Sequence, residues 1–177
     1  MITLTYRLMA AALLDGGMYE EIEHDKRATA QAALVVLLSS LAAGIGASAS
    51  GGLQPLVLLG VAAVALATWL AWAVLIFHFG AGSFREPQTQ TSVGELLRTV
   101  GFAAAPGLLQ VFAIIPPLTV PIFVVTWLWM FGAMVIAVRH ALDFTTTRRA
   151  VAVCAAALAA TISVAIVLGL LFGPVVH

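Results

Sequence analysis

The sequence predicts an all-α fold, a polytopic membrane protein in which a bundle of five transmembrane helices carries a short N-terminal interfacial helix. Hydrophobic residues make up 62% of the 177 residues and charged residues only 9%, whereas about a quarter of the residues of a soluble domain are charged. Three long runs contain no Asp, Glu, Lys or Arg, and each exceeds the roughly 20 residues that a helix needs to cross a membrane. These runs are residues 28–84, 99–138 and 150–177.

Turn signals divide two of the three runs. The small-residue stretch 47–55 ends at Pro55, and proline favours the first turn of a new helix. Residues 116–121 contain three prolines, through which a helix does not continue. These two runs therefore have room for two crossings each and the last run for one. The predicted spans are about 28–48, 55–81, 94–115, 121–141 and 149–172, which makes residues 1–27 an N-terminal segment and residues 28–177 the transmembrane domain.

All charged residues fall on one side of this topology. The eight basic and eight acidic residues lie before the first span, around the link between spans two and three, or around the link between spans four and five. Segments rich in Lys and Arg remain in the cytoplasm. The sequence therefore predicts a multi-pass protein of the cell (plasma) membrane with its N-terminus in the cytoplasm and its C-terminus outside.

The N-terminal segment contains an apolar part and an acidic part. Residues 1–14 are too short to span and repeat apolar residues at helical spacing, which predicts an interfacial helix ended by Gly16 and Gly17. Residues 19–27 are the densest charged cluster of the chain, and we interpret them as a solvated connector in which Asp25 caps the first span. The alternative is a docking surface or a metal site, because carboxylates and histidine are metal ligands. The carboxylates concerned are Glu20, Glu21, Glu23 and Asp25.

The third span carries the polar residues nearest the middle of the chain. Ser92 and Glu95 have the spacing of a capping box, and Glu95 and Arg98 are one turn apart and can form an ion pair. Pro106 removes one backbone hydrogen bond and predicts a kink. Gln110 is the amide deepest in a span, so we expect it to form a hydrogen bond with another helix, worth less than about 2 kcal/mol.

Three segments occupy fixed places in this topology: YEEIEHD before the first span, LLRTVGFAAAPGLL at the start of the third, and VIAVRHALDFTTTRRAVAV between the fourth and fifth. Their order resembles that of the Yip1-domain family of small five-span membrane proteins, over about residues 19–171. The most specific part is a Leu-Arg-x-x-Gly-(Phe/Tyr)-x-x-x-Pro piece. In this chain it consists of Leu97, Arg98, Gly101, Phe102 and Pro106.

This resemblance implies five crossings and a cytoplasmic N-terminus, which agrees with the orientation that the charges predict independently. Eukaryotic members of the family act in vesicle traffic between endoplasmic reticulum and Golgi, and bind Rab-type GTPases and one another. The Ala- and Val-rich composition of this chain is typical of a prokaryotic member. What the resemblance implies here is therefore a membrane-embedded adaptor that binds other proteins rather than a Rab-related role.

We interpret the chain as a non-enzymatic scaffold or accessory subunit without a cofactor. Its expected partners are the lipid bilayer and either other membrane proteins or further copies of itself. The alternative is a transporter or channel for a small molecule, lipid or ion, which would use the Pro106 kink. The candidate interaction and packing residues are Glu20, Glu21, Glu23, Asp25, Glu95, Arg98, Gly101, Pro106 and Gln110.

Other classes of function lack support in the sequence. The formal net charge is zero, so no basic excess indicates nucleic-acid binding. Cys154 is the single cysteine, which leaves no pair for a disulfide or a thiolate metal site. A metal-assisted enzyme would have to use carboxylates and histidines at the cytoplasmic interface, and no HExxH or GxSxG motif is present.

Overall fold

A computed structural model describes residues 3–48, 52 and 54–172 of the chain. Every regular element in these residues is helical, and five stretches are long and apolar enough to cross a membrane. The α-helices are α1 Leu4–Ala12, α2 Gly16–His24, α3 Ala28–Ala47, α4 Pro55–His78, α5 Val93–Phe102, α6 Thr119–Ala141 and α7 Thr147–Phe172. The predicted all-α bundle of five membrane-crossing helices with a short N-terminal helix is confirmed.

Tighter and wider helical turns extend three of the α-helices. A π turn, Phe79–Ser83, continues α4, and two 3₁₀ helices, Ala105–Ile114 and Pro116–Leu118, connect α5 to α6. The five apolar stretches agree with the predicted spans to within a few residues. They are Ala28–Ala47, Pro55–Ser83, Val93–Ile114, Pro116–Ala141 and Thr147–Leu171. The turn predicted at 47–55 lies partly, and the tail of residues 173–177 wholly, outside the described residues.

The third apolar stretch is the centre of the bundle. In an apolar window of 18 residues, 61% of its residues are buried, against 17% to 33% of the residues in the corresponding windows of the other four stretches. Glycines allow α3 to approach it closely: a Cβ on Gly101 would lie 2.7 Å from Ala32 Cβ, and a Cβ on Gly46 would overlap the carbonyl oxygen of Gln110. Small residues are what membrane helices use for such contacts. The third stretch is therefore held mainly by van der Waals packing on α3.

This central stretch is broken rather than kinked. We predicted a kinked helix that continues past Pro106, but the α-helix ends at Phe102 and the chain proceeds as a ten-residue 3₁₀ helix. Pro106 has no N–H to bond the preceding turn. The carbonyl of Ala104 accepts hydrogen bonds from Gly107 N (2.9 Å) and from the Ser39 hydroxyl of α3 (2.8 Å). A side chain of another helix thus stabilises the break.

Two clusters of buried apolar side chains pack on either side of the third stretch. The first combines α1, α2 and α3 with the third stretch and α6, and its largest fully buried side chains are Tyr19, Phe102 and Ile22. The second combines α4, α5, α6 and α7 around Leu96 and Leu142. Each of the two N-terminal helices therefore contributes one face to the packed core.

One end of the bundle carries the polar groups, and we call it the polar end. It consists of α2, residues 84–92 and residues 142–149. Arg98 of α5 reaches α2, and Glu86 joins the two loops through Thr145. The eight basic and eight acidic residues lie in these three segments, elsewhere in residues 7–27, or within the first or last six residues of the adjoining spans. The uniform charge placement expected from the sequence thus corresponds to one contiguous surface.

The N-terminal segment differs from the expectation in three respects. The acidic stretch is an α-helix, α2, rather than a solvated connector. Gly16 and Gly17 do not end α1 but begin α2, where the Asp15 side chain accepts a hydrogen bond from Gly17 N (3.0 Å). Arg27, not Asp25, occupies the N-cap of α3. Residue-by-residue propensity missed α2 because its stability comes from tertiary packing.

Candidate interaction surface at the polar end

The helix α2 lies across the polar end with one apolar and one acidic face. Met18, Tyr19 and Ile22 are buried against the bundle. At its start, Gly16 lies so close to the His140 ring that a side chain there would overlap the imidazole. The opposite face presents Glu20, whose side chain is 64% exposed. The sequence therefore places Glu20 outward by burying Tyr19 and Ile22 on the opposite face.

Arg7 joins three helices at this end. It is 5% exposed. Its guanidinium donates hydrogen bonds to Gln31 Oε1 (2.8 Å), Glu21 Oε1 (3.1 Å) and Asp25 Oδ2 (2.8 Å). The hydrogen bond from Arg7 and that from Arg27 N hold the pKa of Asp25 below its ordinary value. Two of the four predicted docking carboxylates thus serve to bind α1 to α2 and α3.

Arg98 joins α5 to α2. Its Nε donates to the carbonyl oxygen of Glu23 (3.0 Å), and its Nη2 donates to the same oxygen. The predicted Glu95–Arg98 ion pair was wrong, because Arg98 is 7% exposed and turns toward α2. The predicted capping box is confirmed: Ser92 N donates to Glu95 Oε2 (2.8 Å), and Glu95 N donates to Ser92 Oγ (3.3 Å).

The Glu23 carboxyl has an unusual environment. Its Oε2 is buried without a hydrogen-bond partner, and its Oε1 lies 3.5 Å from His24 Nδ1. Burial raises the pKa of Glu23 to about 7, and the negative charges of Asp143 and Glu95 act in the same direction, while His24 opposes them. Glu23 therefore exchanges its proton near neutral pH instead of remaining a fixed charge.

Glu86 organises the loop that follows α4, and the sequence analysis did not single it out. It is 5% exposed and accepts hydrogen bonds from Thr145 N (3.0 Å) and Thr145 Oγ1 (3.1 Å), while Arg149 Nε lies 2.9 Å away. The backbone hydrogen bond from Thr145 is the largest cause of the lowered pKa of Glu86. The one acidic residue of the loop, beside Arg85, together with the Thr-Thr-Thr-Arg-Arg segment of the other polar-end loop, was the available signal.

Two further contacts join the N-terminal helices to α6. Glu20 Oε1 lies 3.0 Å from His140 Nδ1. The Trp129 indole N–H donates to the carbonyl oxygen of Ala12 at 2.7 Å. The polar end is thus a connected surface in which α2, the loops and the ends of the spans support one another.

The remaining candidates lie inside the bundle. Gly101 contacts Ala32, and Pro106 is fully buried. Gln110 forms the expected interhelical hydrogen bond, because its Nε2 donates to Thr126 Oγ1 of α6 at 3.0 Å. The structure therefore separates the candidates into a polar-end group and an interior packing group. The polar-end group is Glu20, Glu21, Glu23, Asp25, Glu95 and Arg98.

Over the part of the chain that the structure describes, no three His, Cys, Asp or Glu side chains are grouped to hold a metal ion. Comparison with protein families matches the chain to the Yip1 domain over residues 17–169. The comparisons with curated proteins and with solved structures gave no match. The matched range begins in α2 and includes all five apolar stretches almost completely.

Proposed function

The chain belongs to the Yip1-domain family, and from this membership and the architecture of the polar end we propose that it is a non-enzymatic membrane scaffold. In this proposal the polar end binds other membrane or cytoplasmic proteins. Further copies of the chain are one such partner.

The observation that carries the proposal is the internal support of the polar end. Three buried charged side chains, Arg7, Glu86 and Arg98, join α2 and the two loops to the spans. Surfaces that are ordered before binding lose less conformational entropy when a partner arrives. A charged surface that is held in place at the end of a membrane bundle has the properties that protein binding requires.

The surface left over for a partner carries both signs of charge. Its exposed charged residues include Glu20, Lys26, Arg27 and Arg85. Glu21 and Asp25 form ion pairs with Arg7, and their side chains are partly exposed. A mixed surface selects partners by charge complementarity rather than by a uniform attraction. We therefore expect binding that weakens with salt but depends on individual side chains.

The position of the basic residues supports a cytoplasmic polar end. Arg85, Arg139, Arg148 and Arg149 flank the span ends at the polar end, as the positive-inside rule requires of the cytoplasmic side. The proposed partners are therefore cytoplasmic proteins or the cytoplasmic parts of membrane proteins. The plasma membrane is part of the proposal.

Interior contacts favour a scaffold over a transporter. Transport sites combine broken helices with polar groups that are free to bind a substrate. Here the break at Pro106 is packed, Ser39 donates to the carbonyl of Ala104, and Gln110 donates to Thr126. These groups stabilise the fold through mutual contacts.

Site-specific crosslinking in native membranes tests the proposal. A photo-crosslinking residue is placed at Lys26 or Gln90, both exposed at the polar end, and at Leu56, which is 82% exposed on α4, as the control. We expect a discrete protein adduct from the two polar-end positions and none from Leu56. An adduct of twice the chain mass identifies a homo-oligomer. Only lipid adducts from all three positions would contradict the proposal.

A further inference from the structure

The helix α1 has an inverted amphipathic pattern. Its only charged residue, Arg7, faces the bundle together with Ala10 and Ala11. Its outer face is apolar: Tyr6 is 52% exposed, Met9 67% and Leu13, just after the helix, 75%. A helix on a protein surface in water would show the reverse arrangement. The outer face of α1 therefore has the composition of a surface in contact with hydrocarbon.

Contacts with α6 and the third stretch fix the depth of α1. Trp129 donates to the carbonyl of Ala12 and lies twelve residues before Ala141, the last residue of α6. At 1.5 Å per residue this is about 18 Å along the helix axis. Ala10 and Ala11 pack in the cluster that contains Ala103 and Ala105, beyond the end of α5. The contact is made through the long indole side chain, and Gly16 already touches His140, so the carboxyl end of α1 lies beside α6 at a level between Trp129 and His140.

The amino half of α1 stays at the polar end. Arg7 is bonded there to Asp25 and to Gln31, which lies in the first turn of α3. After α1 the chain returns within four residues, because Gly16 contacts the ring of His140 near the end of α6. The segment thus enters from the polar end, descends along α6 and returns on the same side.

The carboxyl end of α1 satisfies its backbone as a helix end in lipid must. The carbonyls of Met9 and Ala10 accept hydrogen bonds from Leu13 N (2.9 Å) and Asp15 N (3.0 Å). The carbonyl of Ala11 accepts from Leu14 N (3.1 Å) and from the Tyr19 hydroxyl (3.4 Å). The Trp129 indole N–H donates to the carbonyl of Ala12, so each of the last four carbonyls of α1 accepts a hydrogen bond from the protein. The bonds from Leu14 N and Asp15 N form a Schellman motif, which helices in water also use, whereas the donor to Ala12 comes from a membrane-crossing helix.

We propose that α1 is a re-entrant segment that penetrates one leaflet of the membrane and contacts acyl chains with Tyr6, Met9 and Leu13. An open cleft of about 210 Å³ on this face is lined by Tyr6, Met9, Ala10, Leu13 and Asp15. The exposed carboxylate of Asp15 marks the side of the cleft where the chain turns back toward the polar end. The occupant is the bilayer, because the hydrogen bond from Trp129 places α1 beside α6, a membrane-crossing helix in which Trp127 and Leu128 are 64% and 70% exposed. This inference concerns lipid and does not rest on the proposed scaffold function.

Spin labels on single cysteines test the proposal in liposomes. The background variant is Cys154→Ala, which removes the single, buried cysteine. Labels are placed at Met9→Cys and Leu13→Cys, with Leu56→Cys as the lipid-facing control and Gln90→Cys as the water-facing control. Collisions with oxygen, which partitions into lipid, are compared with collisions with a water-soluble nickel chelate.

We expect both α1 labels to follow Leu56→Cys, with frequent oxygen and rare nickel collisions. Nickel collisions as frequent as at Gln90→Cys would overturn the proposal by placing α1 on the membrane surface. Rare collisions with both reagents would also overturn it, because a protein or a second copy would then cover the face. Unchanged thermal unfolding of each labelled variant shows that the fold is preserved.

A second variant tests the depth without altering the labelled face. Trp129→Phe keeps the ring but removes the donor to Ala12. We expect the nickel collisions at Leu13→Cys to rise, while those at Leu56→Cys stay the same. Identical collision rates at Leu13→Cys with and without the indole N–H would overturn the assigned anchoring of α1 by Trp129.

Discussion

Arg7 is the residue on which the position of α1 most depends. It is buried and its guanidinium binds Gln31, Glu21 and Asp25, which belong to or flank α2 and α3. Arg7→Ala leaves these groups without their donor, and we expect a loss of about 2 kcal/mol in the free energy of unfolding, because the two carboxylates remain partly hydrated. Denaturation in mixed micelles measures this loss.

Arg27→Ala is the matched control for Arg7. Arg27 is exposed and follows the same acidic helix, and its backbone N–H, which bonds Asp25, is unaffected by the substitution. We expect its effect to stay within about 0.5 kcal/mol, as for other surface substitutions. Equal losses for the two variants would contradict the role assigned to Arg7.

The raised pKa of Glu23 predicts that the stability of the protein depends on pH. Since burial raises its pKa from 4.5 to about 7, the folded protein holds a proton that the unfolded chain releases at lower pH. The stability contributed by the protonated carboxyl is complete below about pH 4.5 and is lost as the pH rises through about 7. Thermal unfolding in detergent between these values should show a falling midpoint.

Two variants test whether Glu23 is the residue that causes this pH dependence. Glu23→Gln cannot ionise, so we expect most of the fall to disappear. His24→Gln is the comparison, because the pKa of His24 is also raised, first by its hydrogen bond with the Glu20 carbonyl and then by Glu23. A midpoint that rises with pH in the wild type, or a slope unchanged in Glu23→Gln, would refute the prediction.

At the scale of the element, the contact between α3 and the third stretch depends on Gly46. A Cβ there would overlap the Gln110 carbonyl oxygen and lie 2.9 Å from Ala113 Cβ. Because the obstacle is backbone, Gly46→Ala must move a helix, and we expect it to lower the free energy of unfolding by about 2 kcal/mol. Resistance to unfolding by sodium dodecyl sulfate is a suitable measure.

Gly132→Ala provides the control for this prediction. Gly132 lies in the interior of α6, and a Cβ there meets nothing within 4 Å. We expect no loss, and up to about 1 kcal/mol of added stability, because alanine restricts the unfolded chain and favours a helix. If Gly132→Ala destabilised the protein as much as Gly46→Ala, close packing at Gly46 would not be the reason.

Elements that depend on neighbouring residues were predictable, and those that depend on distant ones were not. The Ser92–Glu95 capping box is local, and the structure contains it. The 3₁₀ helix after Pro106 requires Ser39, which lies sixty-five residues away from Ala104. Likewise α2 forms because Tyr19 and Ile22 are buried under contacts from other helices, which no short window of sequence contains.

The same distinction explains the polar-end site. Composition located the charged residues on one surface, but not their partners. Spacing paired Glu95 with Arg98, whereas the folded chain brings the Glu23 carbonyl to Arg98 from seventy-five residues away. Glu86 was overlooked for a similar reason, since Thr145 is fifty-nine residues further along the chain.

At the scale of the whole molecule, the charge distribution predicts the orientation in the membrane. On the Cys154→Ala background, Gln90→Cys lies at the polar end and Leu118→Cys at the opposite end. With an impermeant thiol reagent and intact cells, we expect labelling of Leu118→Cys alone, and of Gln90→Cys only after lysis. The reverse pattern would place the polar end and its partners outside the cell.

The bond between Trp129 and Ala12 also determines the order in which the protein matures. These residues are 117 positions apart, so at 5 to 20 residues per second the ribosome makes Trp129 about 6 to 23 s after Ala12. During that interval Arg7 already has Glu21 and Asp25 within the same nascent segment, whereas the binding site on α6 does not yet exist. The part of the chain that is translated first is therefore among the last to reach its final place, and insertion of the fourth span completes the docking of the N-terminus.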